Sequence, residues 1–272
     1  AGYVRTLYLA NPEETRQLIH HPLVDCVHMT GGTVTHDAIV WGSTPEEQER
    51  RRKANDPLLK VPITSELGCV SPFIVAGWQF TPKELTVQAN NLVVAMTSNN
   101  GCNCNSAKVL VLPADWPQSA AFLETVRSVL RGTPHDPPYY PGIHESACAD
   151  ARVAHPPPPT HIPHGSLQAV DSLRYGVVAV NAWSAASCIL GACTWGAFSG
   201  GQTAADVGSG VGVVGNPFLV EGVQKAVYRT PVDGAGVPKP FHVQPIPLAA
   251  ARLVLGFVVD GWRGLLRGVW AR

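Results

Sequence analysis

The chain has 272 residues, enough for one large core or two small ones, and is 45% hydrophobic, 15% charged and formally neutral. No basic excess points to nucleic acid and no acidic tail points to a solvating arm, so near-zero charge argues for protein partners, in a homo-oligomer or a larger complex. Seven scattered cysteines suit reduced thiols in a cytosol, matrix or stroma better than a disulfide framework.

The first residues, Ala1 and Gly2 in place of Met, read as the start of a processed or incomplete product with no signal peptide left to see. Tyr3 to Leu9 predicts a short strand, and Asn11 then caps a helix with Glu13 and Glu14 in its first turn. HPLVDCVHMTGG predicts a second strand ending in glycines, and Thr35 to Trp41 a second helix. Strand, helix, strand, Gly turn, helix is a βαβ-type pattern, and open α/β sheets put ligands at such turns. By spacing alone the TGG turn is a weak signal, since most such turns are ordinary loops. Pro45 to Lys60 is the densest charge cluster, with alternating sign, and predicts a solvated helix face laced by i,i+4 pairs.

The stretch from Lys60 to Val109 holds the chemistry. Glu66 stands before Leu67 and Gly68 at the edge of an apolar run, SPFIVAG, which predicts a buried strand; partial desolvation there would suit the carboxylate to a general base. TPKELTVQANNLVVAMTSN predicts a helix capped by Thr81, with Leu85, Ala89, Leu92, Val93 and Met96 on one side. Cys104 follows Gly101 in an Asn-rich turn whose amides could converge on an oxyanion, and SAKVLVLP predicts the strand that anchors it. A thiol is soft and appreciably ionised near neutral pH, which suits attack on a carbonyl. The base and the nucleophile are expected from two separate loops meeting at one cleft.

DWPQSAAFLETVRSVLRG predicts an amphipathic helix with Phe122, Val126 and Val129 on its core face and Gly132 at its end. The run from Thr133 to Gly165 is too rich in proline for regular structure, and its PPPP reads as a polyproline II spacer. His155, His161 and His164 lie in this strap without the preorganisation a metal site needs, so no metal is expected. LQAVDSLRYG predicts a helix leading into the strand GVVAVNAW, followed by a glycine-punctuated segment and an edge strand at YRTPV. The last residues, 247–272, predict an amphipathic helix bordered by arginines, too interrupted to span a bilayer and suited to docking on a partner or lying on a membrane surface.

The strings SELGCVSPFIV, NNGCNCNSAKVLV, HPLVDCVHMTGGTVTHDAIVWG and LRYGVVAVNAW resemble, in order, the second half of an NAD(P)-dependent aldehyde dehydrogenase. The resemblance implies a truncated α/β fold with a partial Rossmann-type cofactor domain and an α/β catalytic domain. By motif position Cys104 is similar to that family's nucleophile, which forms a thiohemiacetal, and Glu66 to the base that activates water. Thr30, Gly31, Gly32 and Leu67 match its cofactor-side positions, with Gly32 in place of the usual Ser, and Asn181 matches an Asn on the substrate side. NAD or NADP is the implied cofactor.

Along these lines the chain divides into residues 1–65 (remnant of the cofactor domain), 66–132 (thiol domain), 133–168 (Pro/His-rich linker), 169–246 (return segment) and 247–272 (C-terminal helix). Three departures from the family stand out. Its first half would precede Ala1, the His/Pro strap stands where its E-x-F-G-P motif belongs, and Cys102 places a second thiol beside the nucleophile. Weak turnover is therefore expected of the chain alone, and the rival expectation is a non-catalytic structural subunit of a larger assembly.

Overall fold

The computed structural model describes residues 3–134, 166–187, 193–203 and 206–234. Most of the Pro/His-rich linker, with His155, His161 and His164, and the helix expected over 247–272 lie outside the described residues. Among the described residues the fold is mixed α/β, as expected, with its strands distributed over four small sheets.

Residues 3–9 are exposed and form no strand. Their β-branched and aromatic content marks them as strand-compatible, but a strand needs a neighbour to take its hydrogen bonds. Helix α1 (Pro12–Ile19) starts where Asn11 accepts the Glu14 N–H at 3.0 Å, as its sequence predicts. Strand β1 (Val27–Gly31) leads through Gly32 into α2 (Thr33–Trp41), which begins two residues before the predicted Thr35.

Helix α3 (Pro45–Ala54) carries the expected i,i+4 pairs, Arg51 to Glu47 at 2.9 Å and Lys53 to Glu49 at 2.6 Å. It is more than a solvated face. Arg52 reaches Asp37 at 2.6 Å and lies over the Trp41 ring, tying α3 to α2. Beneath this pair, Val40, Trp41 and Leu59 form a small core with Val27 and Ile63.

Strand β2 (Ile63–Leu67) runs parallel to β1 along its whole length, so the domain boundary expected at residue 65 falls inside a strand. On its other side β2 pairs antiparallel with β7 (Gly210–Val211). A Cβ on Gly210 would lie 2.0 Å from the Ser65 carbonyl oxygen, and its φ is +132°, so only glycine allows this approach.

Strand β3 (Ser71–Ile74) connects through α4 (Pro82–Thr97) to its parallel neighbour β4 (Ala107–Val111). The start of α4 is a full capping box: Thr81 Oγ1 accepts the Glu84 N–H, and the Glu84 carboxylate accepts the Thr81 N–H at 2.7 Å. Leu85, Ala89, Leu92 and Val93 face inward as predicted, whereas Met96, near the helix end, is 38% exposed. Helix α5 (Ser119–Gly132) lays Phe122 and Val126 on α4, closing the main core with Trp116 and Val75.

Helix α6 (Ser166–Ser172) precedes β5 (Val177–Val180), which pairs parallel with β9 (Ala226–Arg229). Between them, β6 (Trp195–Gly196) and β8 (Val213–Gly215) form an antiparallel pair. Among the described residues, no helix is long and apolar enough to cross a membrane.

The α4–α5 core carries more of the stability than any cap. Phe122→Ala is expected to cost about 3–5 kcal/mol, and Thr81→Ala about 1 kcal/mol, both read from urea unfolding. A Phe122 loss no larger than the Thr81 loss would move the core elsewhere.

Candidate active site

Strand pleating sets where Glu66 points. Ser65 and Leu67 point into the protein and are buried, so Glu66 between them projects to the opposite face, half-buried. The thiol arrives from the turn between α4 and β4. A 3₁₀ turn, Ser98–Gly101, places Asn99 and Asn100 in the left-handed region at φ 56° and 54°, and Gly101 follows at 72°. Asparagine and glycine tolerate this region best, so the Asn-Asn-Gly string gives the reversal that turns Cys104 back toward β2.

The two side chains meet. Cys104 Sγ donates to Glu66 Oε1 at 3.3 Å, and the same oxygen accepts the Trp195 indole N–H at 3.0 Å. Burial, then the hydrogen bond to Glu66 and its negative charge, push the Cys104 thiol up to about 11, with the Asn105 backbone N–H opposing. At pH 7 such a group is ionised to roughly one part in ten thousand. The expectation of a readily ionised thiol is thereby corrected: a carboxylate facing a partly desolvated sulfur favours the proton on sulfur.

Two of the turn's amides are committed to backbone carbonyls. The Cys102 N–H donates to Asn99 O at 2.9 Å and the Ser106 N–H to Asn103 O at 3.0 Å, while the Asn105 N–H faces the sulfur. Behind the turn, Asn105 Nδ2 donates to Ser184 Oγ at 3.2 Å and Trp183 Nε1 to Asn105 O at 3.4 Å. Tyr228 Oη donates to the Trp183 carbonyl, so β9 braces the loop that braces the nucleophile turn.

Strand register brings the remaining positions alongside. Thr30 pairs with Glu66 and Gly31 with Leu67 across β1 and β2. Gly31 and Gly32 are exposed, and Gly32 occupies the N-cap of α2 without a side-chain cap, with open space where a Cβ would stand. The Leu67 side chain is 2% exposed and its N–H donates to Ser209 O. Asn181 sits in a left-handed turn at φ 62° and commits its side-chain N–H to Thr230 O at 3.0 Å, while its carbonyl accepts from Asn91 at 2.9 Å. It joins β5, β9 and α4.

Three contributors are not evident from sequence. Trp195 and Asn105 are described above. The third is Cys69, whose Sγ lies 3.1 Å from the Cys104 carbonyl oxygen and 3.2 Å from Ser71 Oγ. Cys102, the suspected neighbour thiol, instead turns its sulfur toward Asn100 O at 3.6 Å. For Trp195 the only available signal is an indole isolated in a small-residue segment. Among the described residues no three ligating side chains gather as a metal site.

No family model matches the chain, and no curated protein matches it. Parts of it are similar to solved aldehyde dehydrogenases. A Bacillus halodurans NADP-dependent glyceraldehyde-3-phosphate dehydrogenase complexed with NADP is 21% identical over 44% of this chain and 21% of that one, with a TM-score of 0.33. A Mycobacterium tuberculosis aldehyde dehydrogenase complexed with NAD+ is 20% identical over 46% and 22%, with a TM-score of 0.34. A Burkholderia cenocepacia gamma-glutamyl-gamma-aminobutyraldehyde dehydrogenase is 24% identical over 45% and 21%, with a TM-score of 0.32. The chain spans about a fifth of the length of these solved structures.

The raised thiol has a signed consequence. Because folding lifts its pKa from 9.0 to about 11, its contribution to stability is complete below pH 9.0 and is lost as pH climbs toward 11. Iodoacetamide labelling of Cys104, followed by mass spectrometry, is expected to be slow near neutral pH and to rise steeply through that interval. Glu66→Gln removes the charge that favours the protonated sulfur, so labelling near neutral pH should accelerate severalfold. Unchanged or slower labelling in that variant would contradict the pairing.

Proposed function

We propose that Cys104 and Glu66 form the nucleophile and base of an aldehyde-oxidising site of the NAD(P)-dependent kind. The observation that carries this reading is the 3.3 Å contact between Cys104 Sγ and Glu66 Oε1, made by residues far apart in sequence and delivered by separate elements. The motif resemblance around both residues supports it.

In this reading Glu66 takes the Cys104 proton as the sulfur attacks the aldehyde carbonyl, giving a thiohemiacetal on Cys104. A bound NAD(P) would accept the hydride as that adduct becomes a thioester. The proton Glu66 has taken passes to solvent before Glu66 deprotonates the water that releases the carboxylic acid, and the departing Cys104 sulfur takes up that second proton. The Trp195 N–H holds one oxygen of Glu66 in place during both transfers. The uncapped first turn of α2, reached through Thr30, Gly31 and the exposed Gly32, fits a dinucleotide phosphate, since a helix N-terminus without a side-chain cap offers free N–H donors. Leu67 contributes by packing beneath this edge. The protonated resting thiol makes for slow turnover.

A structural role in a larger assembly is the second reading. It is supported by exposed apolar side chains at Tyr3 (100%), Tyr8 (95%), Leu219 (83%) and Phe218 (70%).

The test is reduced-nicotinamide absorbance with a short aliphatic aldehyde and NAD or NADP. The expected result is slow turnover, abolished in Cys104→Ala and lowered about a hundredfold or more in Glu66→Gln, the usual scale for loss of a general base. A folded wild-type chain without turnover would leave the structural reading in place.

A further inference from the structure

We infer that Cys69 is a resolving thiol for Cys104, so that the two close to a reversible disulfide under peroxide. This site is independent of dehydrogenase activity. Strands β3 and β4 are parallel neighbours, with Ser71 paired to Ala107. Cys69 lies two residues before that pair on one strand and Cys104 three residues before it on the other, so both enter the sheet at the same end. The contact is direct: Cys69 Sγ approaches the Cys104 carbonyl oxygen to 3.1 Å. Both sulfurs are free thiols and neither is fully buried.

The chemistry balances with peroxide as the two-electron oxidant. Glu66 Oε1 accepts the Cys104 proton, the sulfur attacks one peroxide oxygen, and the O–O bond breaks. The departing hydroxide takes the proton back from Glu66 and leaves as water, and Cys104 is left as a sulfenic acid. Cys69 Sγ then attacks Cys104 Sγ. The S–O bond breaks, and hydroxide leaves as water with the Cys69 proton. One peroxide has been reduced to two waters and two thiols oxidised to one disulfide. Without Cys69 the sulfenic acid would persist and be oxidised again to the irreversible sulfinic acid.

Hydrogen peroxide treatment of the full chain, followed by non-reducing tryptic mapping, tests this. The expected product joins the peptide from Val61 to Lys83 with that from Glu84 to Lys108, at the mass of their sum less two hydrogens. It should be reversed by dithiothreitol, persist in Cys102→Ser and vanish in Cys104→Ser. Cys69→Ser keeps a donor for the Cys104 carbonyl, and in that variant Cys104 should gain two oxygens instead. A link that maps to Cys102, or sulfinic acid at Cys104 with Cys69 intact and no link formed, would overturn the assignment. A disulfide in a chain without dehydrogenase activity would remove the functional reading and leave this one standing.

Discussion

One oxygen, Glu66 Oε1, accepts hydrogen bonds from two side chains that belong to different sheets. The carboxylate rises from β2, the thiol from the turn before β4, and the indole from β6. Among the described residues none of these sheets exceeds three strands, and two-stranded pairs are marginal by themselves. Hydrogen bonds to a charged acceptor contribute about 1.5–3 kcal/mol each, so this oxygen links small sheets that backbone pairing leaves separate. Site geometry and part of the inter-sheet cohesion therefore rest on the same atom.

The same arrangement sets the character of the Cys104 thiol. A carboxylate beside a half-buried thiol keeps the proton on sulfur, which makes the thiolate rare. A thiolate of high pKa is, however, intrinsically the stronger nucleophile, with a Brønsted slope of about 0.4–0.5. The slope is below one, so the gain in reactivity recovers only part of the loss in population. Under the proposed chemistry Glu66 would take the proton as a seated aldehyde is attacked, whereas a diffusing alkylating reagent meets only the rare thiolate. A lone exposed cysteine of ordinary pKa would react with whatever arrived first.

Local chemistry was legible in the sequence wherever it was sufficient. The Asn11 cap, the Thr81–Glu84 capping box and the inward stripe from Leu85 to Val93 all depend on residues within a few positions, and they lie where the pattern puts them. The Glu66–Cys104 encounter was legible for a different reason, since each residue stands at the boundary of an apolar run and a turn. What escaped reading needed a partner far along the chain. Residues 3–9 have strand composition but no strand beside them. Arg52 looked like one charge among many until Asp37 and Trp41 were placed under it. Asn181, matched to a substrate-side position by motif, donates from its amide to Thr230 O, a partner 49 positions along the chain. Cys102 was nearer to Cys104 in sequence than Cys69, yet strand pairing, which sequence distance does not encode, brought Cys69 to the nucleophile's backbone.

The glycine-punctuated segment after residue 195 reads as a loop, and its glycines have a steric purpose that bears on the site. At Gly196 a Cβ would come within 2.7 Å of the Gly212 carbonyl oxygen, so β6 and the chain around β8 can approach only because that side chain is absent. Gly210 does the same for β7 against Ser65. Each approach fixes a neighbour of the carboxylate: Gly210 is registered opposite Glu66 itself, and Gly196 follows Trp195, whose indole reaches it. Side chains at these two positions would push β6 and β7 outward and carry the indole N–H away from Oε1. The small residues of this segment are therefore what lets a third sheet close over the carboxylate, and the thiol's environment depends on them although they never touch it.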